Sequence, residues 1–363
     1  MYIVIICSLL ALFFTFLESR KILRNGMALG FIIITTLACI RYDYGNDYMV
    51  YFRDYFEITN IPFNINNILL GQVYRDPGWA ILCFAFKPIG GFITLVAVLS
   101  IVQNYIVYRF IKKNTLIAWW PASVFIYLFT SNLFLLHLSM MRQGFVVCVF
   151  LGLWQLISDK KWWYPLIILY LCSYIHQSAI ILIPFAFWGF IPMERSRILG
   201  YTLIILFVGL WISSSLVNSI LQGFMKFEEL QEYVNSYENI GKVGNYGLGF
   251  IISLLPLFIT IYYLIKGKNK DSNLNKMVIL GSIGQMIIPF NQIIPLASRI
   301  GLYFGIYSLS TVPIVYSSIE NKILKKGLFL LYILFILYTY YIFFTSSIYA
   351  PRYSEFKTIF DIL

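Results

Sequence analysis

The chain has 363 residues, of which 60% are apolar and only 12% charged, and its mean hydropathy is +0.78. A soluble domain carries about 25% charge, so the composition excludes an ordinary soluble fold and predicts an all-α polytopic membrane protein. The net charge of +11 does not indicate nucleic acid, because the basic residues sit in short clusters between apolar runs.

The first apolar run, 2–17, has no basic residues ahead of it and no small-residue cleavage site, and ESRKILRN follows it directly. It is expected to be a retained helix rather than a signal peptide. A second run, 27–40, leads into a polar stretch, 41–77, that opens with RYDYGNDYMVY. If its middle is helical, Asp43, Asp47 and Tyr51 share one face at four-residue spacing, although Gly45 can interrupt that helix. Carboxylates accept sugar hydroxyl hydrogens and tyrosine rings stack on sugar faces, so these acids with Tyr48 and Tyr51 suit a glycan. The stretch ends in YRDPGW, where Pro77 and Gly78 turn the chain and Asp76 is a candidate helix cap or sugar ligand.

Residues 78–88 are too short to cross a bilayer and are expected to be re-entrant or interfacial. Further apolar runs fall at 91–111, 115–136, 143–158, 162–175, 178–191, 198–216, 247–265, 277–290, 299–317 and 327–345. Together they predict about 12 crossings in a single integral domain, 1–363. Between them, HLSMMRQG places Arg142 at a helix start. Two short runs meet at His176-Gln177-Ser178, with Ser178 as a candidate cap. PLASRIGLYFGIY places Ser298 and Arg299 in a first turn, with Tyr303 and Tyr307 continuing the stripe.

If every run crosses once, the basic loops fall on one side, which collects 17 of the 27 basic residues and 5 of the 16 acids. The positive-inside rule makes that side the cytoplasm. Both termini, the loops 41–77 and 217–246 and the tail 346–363 are then extracytoplasmic. Lysines divide 12 inside to 4 outside, whereas arginines divide 5 to 6. Arginines on the disfavoured side suggest anion recognition, since the guanidinium fork matches phosphate and carboxylate. Arg53 and Arg352 are expected to pair with outer acids, and Arg41, Arg142 and Arg299, at the edges of apolar runs, to bind substrate. Helix N-termini favour phosphate, which strengthens Arg142 and Arg299.

A histidine near neutral pKa suits a general base, and the two histidines, His137 and His176, both project to the outer, arginine-rich side. HExxH, GxSxG, P-loop and dinucleotide signatures are absent from the sequence. The five cysteines form no CxxC and are expected to be packing residues. No zinc-type ligand set occurs, and neither metal nor cofactor is expected, although the aspartates leave a divalent metal open.

The chain resembles the EpsG-type branch of the Wzy polysaccharide polymerases. The resemblance rests on Arg41-Tyr42-Asp43 with Asp47-Tyr48, on Pro77-Gly78 opening a short apolar segment, and on Arg142-Gln143 opening a helix. It continues through His176-Gln177-Ser178-Ala179 to Arg299. Asp76 stands where a glutamate is expected and Asn46 where a threonine is usual, which bears on sugar specificity. The resemblance implies a GT-C-like helical architecture in a bacterial inner membrane, with the active site facing the periplasm or cell exterior. It implies transfer of a growing glycan from undecaprenyl pyrophosphate to the terminal sugar hydroxyl of an incoming lipid-linked repeat. Arg142, Arg299 and Arg41 would then face pyrophosphate. His176 would be the base, with Asp43 or Asp47 as the second choice, and Tyr48, Tyr51, Asp76 and Tyr303 would meet sugar. Expected partners are undecaprenyl-pyrophosphate-linked oligosaccharides and the bilayer, with a chain-length regulator and a flippase. A lipid-linked glycan ligase would use nearly the same site. A membrane O-acyltransferase would need a cytoplasmic acyl-CoA entrance, and a transporter would place charge in mid-span, where this chain has almost none.

Overall fold

The computed structural model describes residues 1–212, 248–266, 271–287 and 295–361. The polar stretch 217–246 lies outside the described residues. The chain forms two compact units, one of residues 1–191 with 336–363 and one of 192–335.

The first unit opens with α1 (Tyr2–Ser19) and α2 (Gly26–Ile40), packed as an antiparallel hairpin. Residues Val4, Ser8, Ala11 and Thr15 of α1 are buried, while Ile3, Ile6, Leu9, Leu10, Phe13 and Phe16 are exposed. Small and polar residues inside with large apolar ones outside reverse the soluble pattern. That arrangement fits lipid, where packing rather than hydrophobic burial joins helices. The chain is a membrane protein.

After β1 (Arg41–Tyr42) come α3 (Tyr48–Asn60), α4 (Ile65–Leu69) and α5 (Pro77–Phe86). At 10 residues, α5 is about 15 Å long, too short to cross, as the sequence predicts. Next is α6 (Gly91–Asn114), which packs on α2 and on the later helix Met141–Gly152. The run 115–136 is not one continuous helix. It breaks into a 3-10 turn at Ile117–Trp119, α7 (Trp120–Phe129) and α8 (Phe134–Ser139). The run 143–158 likewise divides into α9 (Met141–Gly152) and α10 (Trp154–Ser158). Then α11 (Trp163–Ile175) pairs with a 3-10 helix, Gln177–Phe190. A 3-10 helix rises about 2.0 Å per residue, so its 14 residues reach about 28 Å, close to the roughly 30 Å hydrocarbon thickness. The tail returns to the start of the unit, where β2 (Lys357–Thr358) pairs antiparallel with β1, Arg41 opposite Thr358.

In the second unit the helix Ser196–Ile212 packs on Leu255–Lys266, and Ser272–Ile287 packs on Pro295–Gly305. The run 299–317 is also broken, with a bend of 56° between Arg299–Gly305 and Ser308–Ser317. Lys266 pairs with Glu320 at 3.1 Å.

Among the described residues three helices, Tyr2–Ser19, Gly91–Asn114 and Lys322–Thr345, are long and apolar enough to cross a membrane, or four if the bent pair counts as one. Eight further apolar helices are shorter.

Candidate functional site

The site is built around Asp76, whose side chain is 2% exposed. Asp76 is the residue before the first turn of α5, with Pro77 at its start, yet its carboxylate makes no capping hydrogen bond. Cap and ion pair look alike in sequence, and here the ion pair wins. One carboxylate oxygen accepts from Arg142 Nη1, and the other accepts from the Gln177 backbone N–H at 3.3 Å. Arg75 approaches the same carboxylate from outside, at 4.0 Å. Three segments far apart in sequence therefore meet at one carboxylate.

Arg142 lies in the first turn of α9, with its side chain 14% exposed. Its guanidinium carbon is 5.2 Å from the ring centroids of Tyr51 and Tyr74 and 5.9 Å from that of Trp79. A buried guanidinium is costly unless its charge is met, and this one is met by a carboxylate and three ring faces. Tyr74 donates to Asp54 at 2.8 Å. Burial first, and Asp54 after it, raise the Tyr74 phenol, so it stays protonated as that donor. Two arginines here stand against Asp54 and Asp76, and Arg75 is the exposed one of the pair.

Gly78 explains how these segments come so close. A Cβ there would lie 2.9 Å from the carbonyl carbon and oxygen of Tyr174, so only glycine lets α5 start against the end of α11. His176 ends α11 with an extended backbone, φ −151° and ψ 110°. It is half-buried and one residue from the Gln177 N–H that bonds Asp76. Ser178 does not cap that 3-10 helix; position 176 does, without a side-chain bond.

The predicted helical stripe Asp43–Asp47–Tyr51 does not form. Gly45 has φ 108° and Asp43 φ 45°, so the helix starts only at Tyr48. Asp43 turns to Arg352, at 3.2 and 3.4 Å, as expected for Arg352. Asp47 precedes α3, and its N–H donates to Ser139 Oγ at 3.1 Å. Arg53 pairs with Glu57 at 3.8 Å on an exposed helix face.

Arg41 is buried between α2 and α6, donating to the Ala38 carbonyl and to Ser100 Oγ at 2.8 Å. Among the described residues it pairs with no carboxylate. Tyr48 is fully buried against it and donates to the Arg41 carbonyl at 3.1 Å. Arg299 and Tyr303 lie in the second unit, on the helix Pro295–Gly305, with Arg299 half-buried and Tyr303 fully buried. The Ser298 side chain lies outside the described residues. Thus Tyr51, Asp76, Arg142 and the backbone beside His176 converge, while Asp43, Arg41 and Tyr48 have other partners.

Three members of the cluster carried no assigned role in the sequence. Tyr74 and Trp79 flank Asp76 in YRDPGW, and only their spacing around an acid hinted at a cation. Gln177 acts through its backbone, which no side-chain pattern reveals. The other histidine, His137, is buried with Nδ1 3.7 Å from Cys148 Sγ. Among the described residues no cluster of histidine, cysteine and acid could hold a metal.

The model of the EpsG family matches residues 26–357. The chain belongs to the EpsG family. The match runs from the first residue of α2 to the first residue of β2 and includes every residue of the Asp76–Arg142 cluster. No curated protein and no solved structure matches the chain. As an EpsG-family chain it is a membrane protein of polysaccharide biosynthesis.

Proposed function

We propose that this EpsG-family protein is a polysaccharide polymerase of the bacterial inner membrane, with about twelve crossings, a GT-C-like architecture and both termini extracytoplasmic. On the extracytoplasmic face it transfers a growing glycan from undecaprenyl pyrophosphate to the terminal sugar hydroxyl of an incoming lipid-linked repeat. The bond from the sugar anomeric carbon to the pyrophosphate oxygen breaks, and a glycosidic bond to the acceptor oxygen forms. The acceptor proton passes to a base, and undecaprenyl pyrophosphate leaves as the anion. Positive charge fixed in place before the reaction lowers the cost of that departure. Arg142, Arg299 and Arg41 are the proposed pyrophosphate ligands. His176 is the base, with Asp43 or Asp47 in reserve. Tyr51, Asp76, Tyr48 and Tyr303 are the proposed sugar ligands; all four are buried, so each reaches substrate only if its surroundings open.

The observation that carries this reading is the convergence on one buried ion pair of Tyr51, YRDPGW, the start of the Arg142 helix and the His176-Gln177 corner. Each was singled out in sequence for glycan or pyrophosphate chemistry. The test replaces the chromosomal copy by Arg142→Lys, which keeps the charge and removes the fork, and measures lipid-linked glycans. Polymerisation should fall about a hundredfold, as when one preorganised donor is removed, with single repeats accumulating on undecaprenyl pyrophosphate. Normal polymer from a well-expressed Arg142→Lys variant refutes the role of Arg142. In parallel, normal polymer from His176→Ala would move the base to Asp43 or Asp47.

A further inference from the structure

A groove of about 440 Å³ runs between α2 and α6, and no residue of the Asp76–Arg142 cluster lines it. Phe31, Thr35 and Cys39 line it from α2, and Ile101, Tyr105 and Tyr108 from α6. The helices are antiparallel here, since Phe31 meets Tyr108 at 5.6 Å while Cys39 reaches the Ala97 carbonyl. From Ala28 to Cys39 the groove spans about 16 Å of α2, roughly one leaflet of a hydrocarbon core about 30 Å thick.

Its end is basic. On α6, Ile101, Tyr105, Tyr108 and Lys112 follow one another at three- and four-residue spacing, which puts Lys112 at the mouth of the groove. Lys112 Nζ bonds the Tyr108 hydroxyl at 2.8 Å, and the Arg109 guanidinium lies 5.9 Å from the Tyr105 ring. A second cavity of about 260 Å³ shares Tyr105 and is lined by Arg109, Lys113, Trp154 and Gln155. Asp159 is held by Gln155 at 2.7 Å. Among the described residues neither Arg109, Lys112 nor Lys113 pairs with a carboxylate, and all three are exposed.

We infer that this groove binds an anionic glycerophospholipid, with one acyl chain between α2 and α6 and the phosphate at Lys112 and Arg109. The chemistry is complementary at both ends. The apolar trough takes a chain of one-leaflet length, and cations without acidic partners take the headgroup at the depth where it lies. A polyprenyl chain is far longer than the trough, whereas one acyl chain matches it, and the inference does not rest on the polymerase reading.

The test uses the full-length protein in detergent, offered phosphatidylglycerol and phosphatidylcholine with identical chains, with retained lipid read by native mass spectrometry. The parent should retain phosphatidylglycerol preferentially. Arg109→Gln and Lys112→Gln should each lower that preference about fivefold, the contribution of one cation at a lipid surface. Thr35→Trp, which fills the trough, should abolish retention of both lipids. Equal retention by the parent, or an undiminished preference in the double glutamine variant, overturns the inference. Displacement of phosphatidylglycerol by undecaprenyl phosphate at equal concentration also overturns it, because the groove would then belong to the substrate.

Discussion

At the scale of single residues, Asp76 holds together more of the site than its position suggests. Its carboxylate is the shared acceptor of Arg142 and the Gln177 N–H. Removing one partner of a buried pair leaves an uncompensated charge, at a cost of about 3–5 kcal/mol. Asp76→Asn should therefore lower stability by about 3 kcal/mol, the low end because Arg142 keeps three aromatic contacts and 14% exposure. Adding Arg142→Gln should recover part of that loss, since the stranded charge is gone. Thermal unfolding in detergent of the parent, both single variants and the double variant gives the coupling. Strictly additive losses would mean that the pair stabilises nothing. Asp76, Arg142 and Tyr51 were legible in the sequence as an acid, an arginine and a tyrosine beside apolar runs, whereas Tyr74, Trp79 and Gln177 were not. Nor was the pairing of the acid with the arginine, because Asp76 and Arg142 are 66 positions apart and Asp76 has the spacing of an ordinary cap. The Asp43–Asp47–Tyr51 stripe failed for a reason visible in advance, the glycine at 45, whose backbone takes a left-handed turn.

At the scale of elements, the helical class and the short segment at 78–88 followed from hydropathy, but the integrity of the spans did not. Hydropathy registers apolar length and is blind to breaks that preserve it, such as the turn between α7 and α8 or the 56° bend after Gly305. It also assumes α-helical rise, so the run 178–191 looked short until its 3-10 geometry lengthened it. The junction of α5 with α11 depends on one glycine. Gly78→Ala would set a Cβ at 2.9 Å from Tyr174 backbone atoms, which cannot rotate aside. Overpacking of this kind costs about 1–3 kcal/mol. The helix ends must separate to relieve it, which draws the Gln177 N–H away from Asp76. Glycan polymerisation by Gly78→Ala should fall more than its unfolding midpoint implies. Full activity with lowered stability would show that the Asp76–Gln177 contact has no part in the reaction.

At the scale of the molecule, the first unit is closed by its tail. Arg352 pairs with Asp43 with a half-exposed side chain, whereas Tyr353 is fully buried against Tyr44 and Phe343. An exposed ion pair contributes at most about 1 kcal/mol, and truncating a buried aromatic costs about 3–5 kcal/mol. Arg352→Ala should thus unfold near the parent and Tyr353→Ala well below it. The reverse order would mean that the tail is held by charge rather than by packing.

The same tail bears on topology. The Met1 amino group donates to the Ser354 carbonyl at 2.5 Å, and β2 pairs with Arg41–Tyr42. Asp47 is tied to Ser139, and Asp76 to Arg142 and Gln177. Every segment of this unit that the charge rule assigns to the outer side and that is tied by these bonds therefore gathers at one end. The lysines at the far ends of α6 and α11 lie a helix length away. Reporter fusions should place positions 47 and 357 in one compartment and positions 112 and 160 in the other, with the lysine-rich side cytoplasmic. Positions 47 and 357 in different compartments would break the β1–β2 pairing. Positions 47 and 357 together in the cytoplasm would keep the fold and put the Asp76–Arg142 site on the wrong side for an extracytoplasmic polymerase.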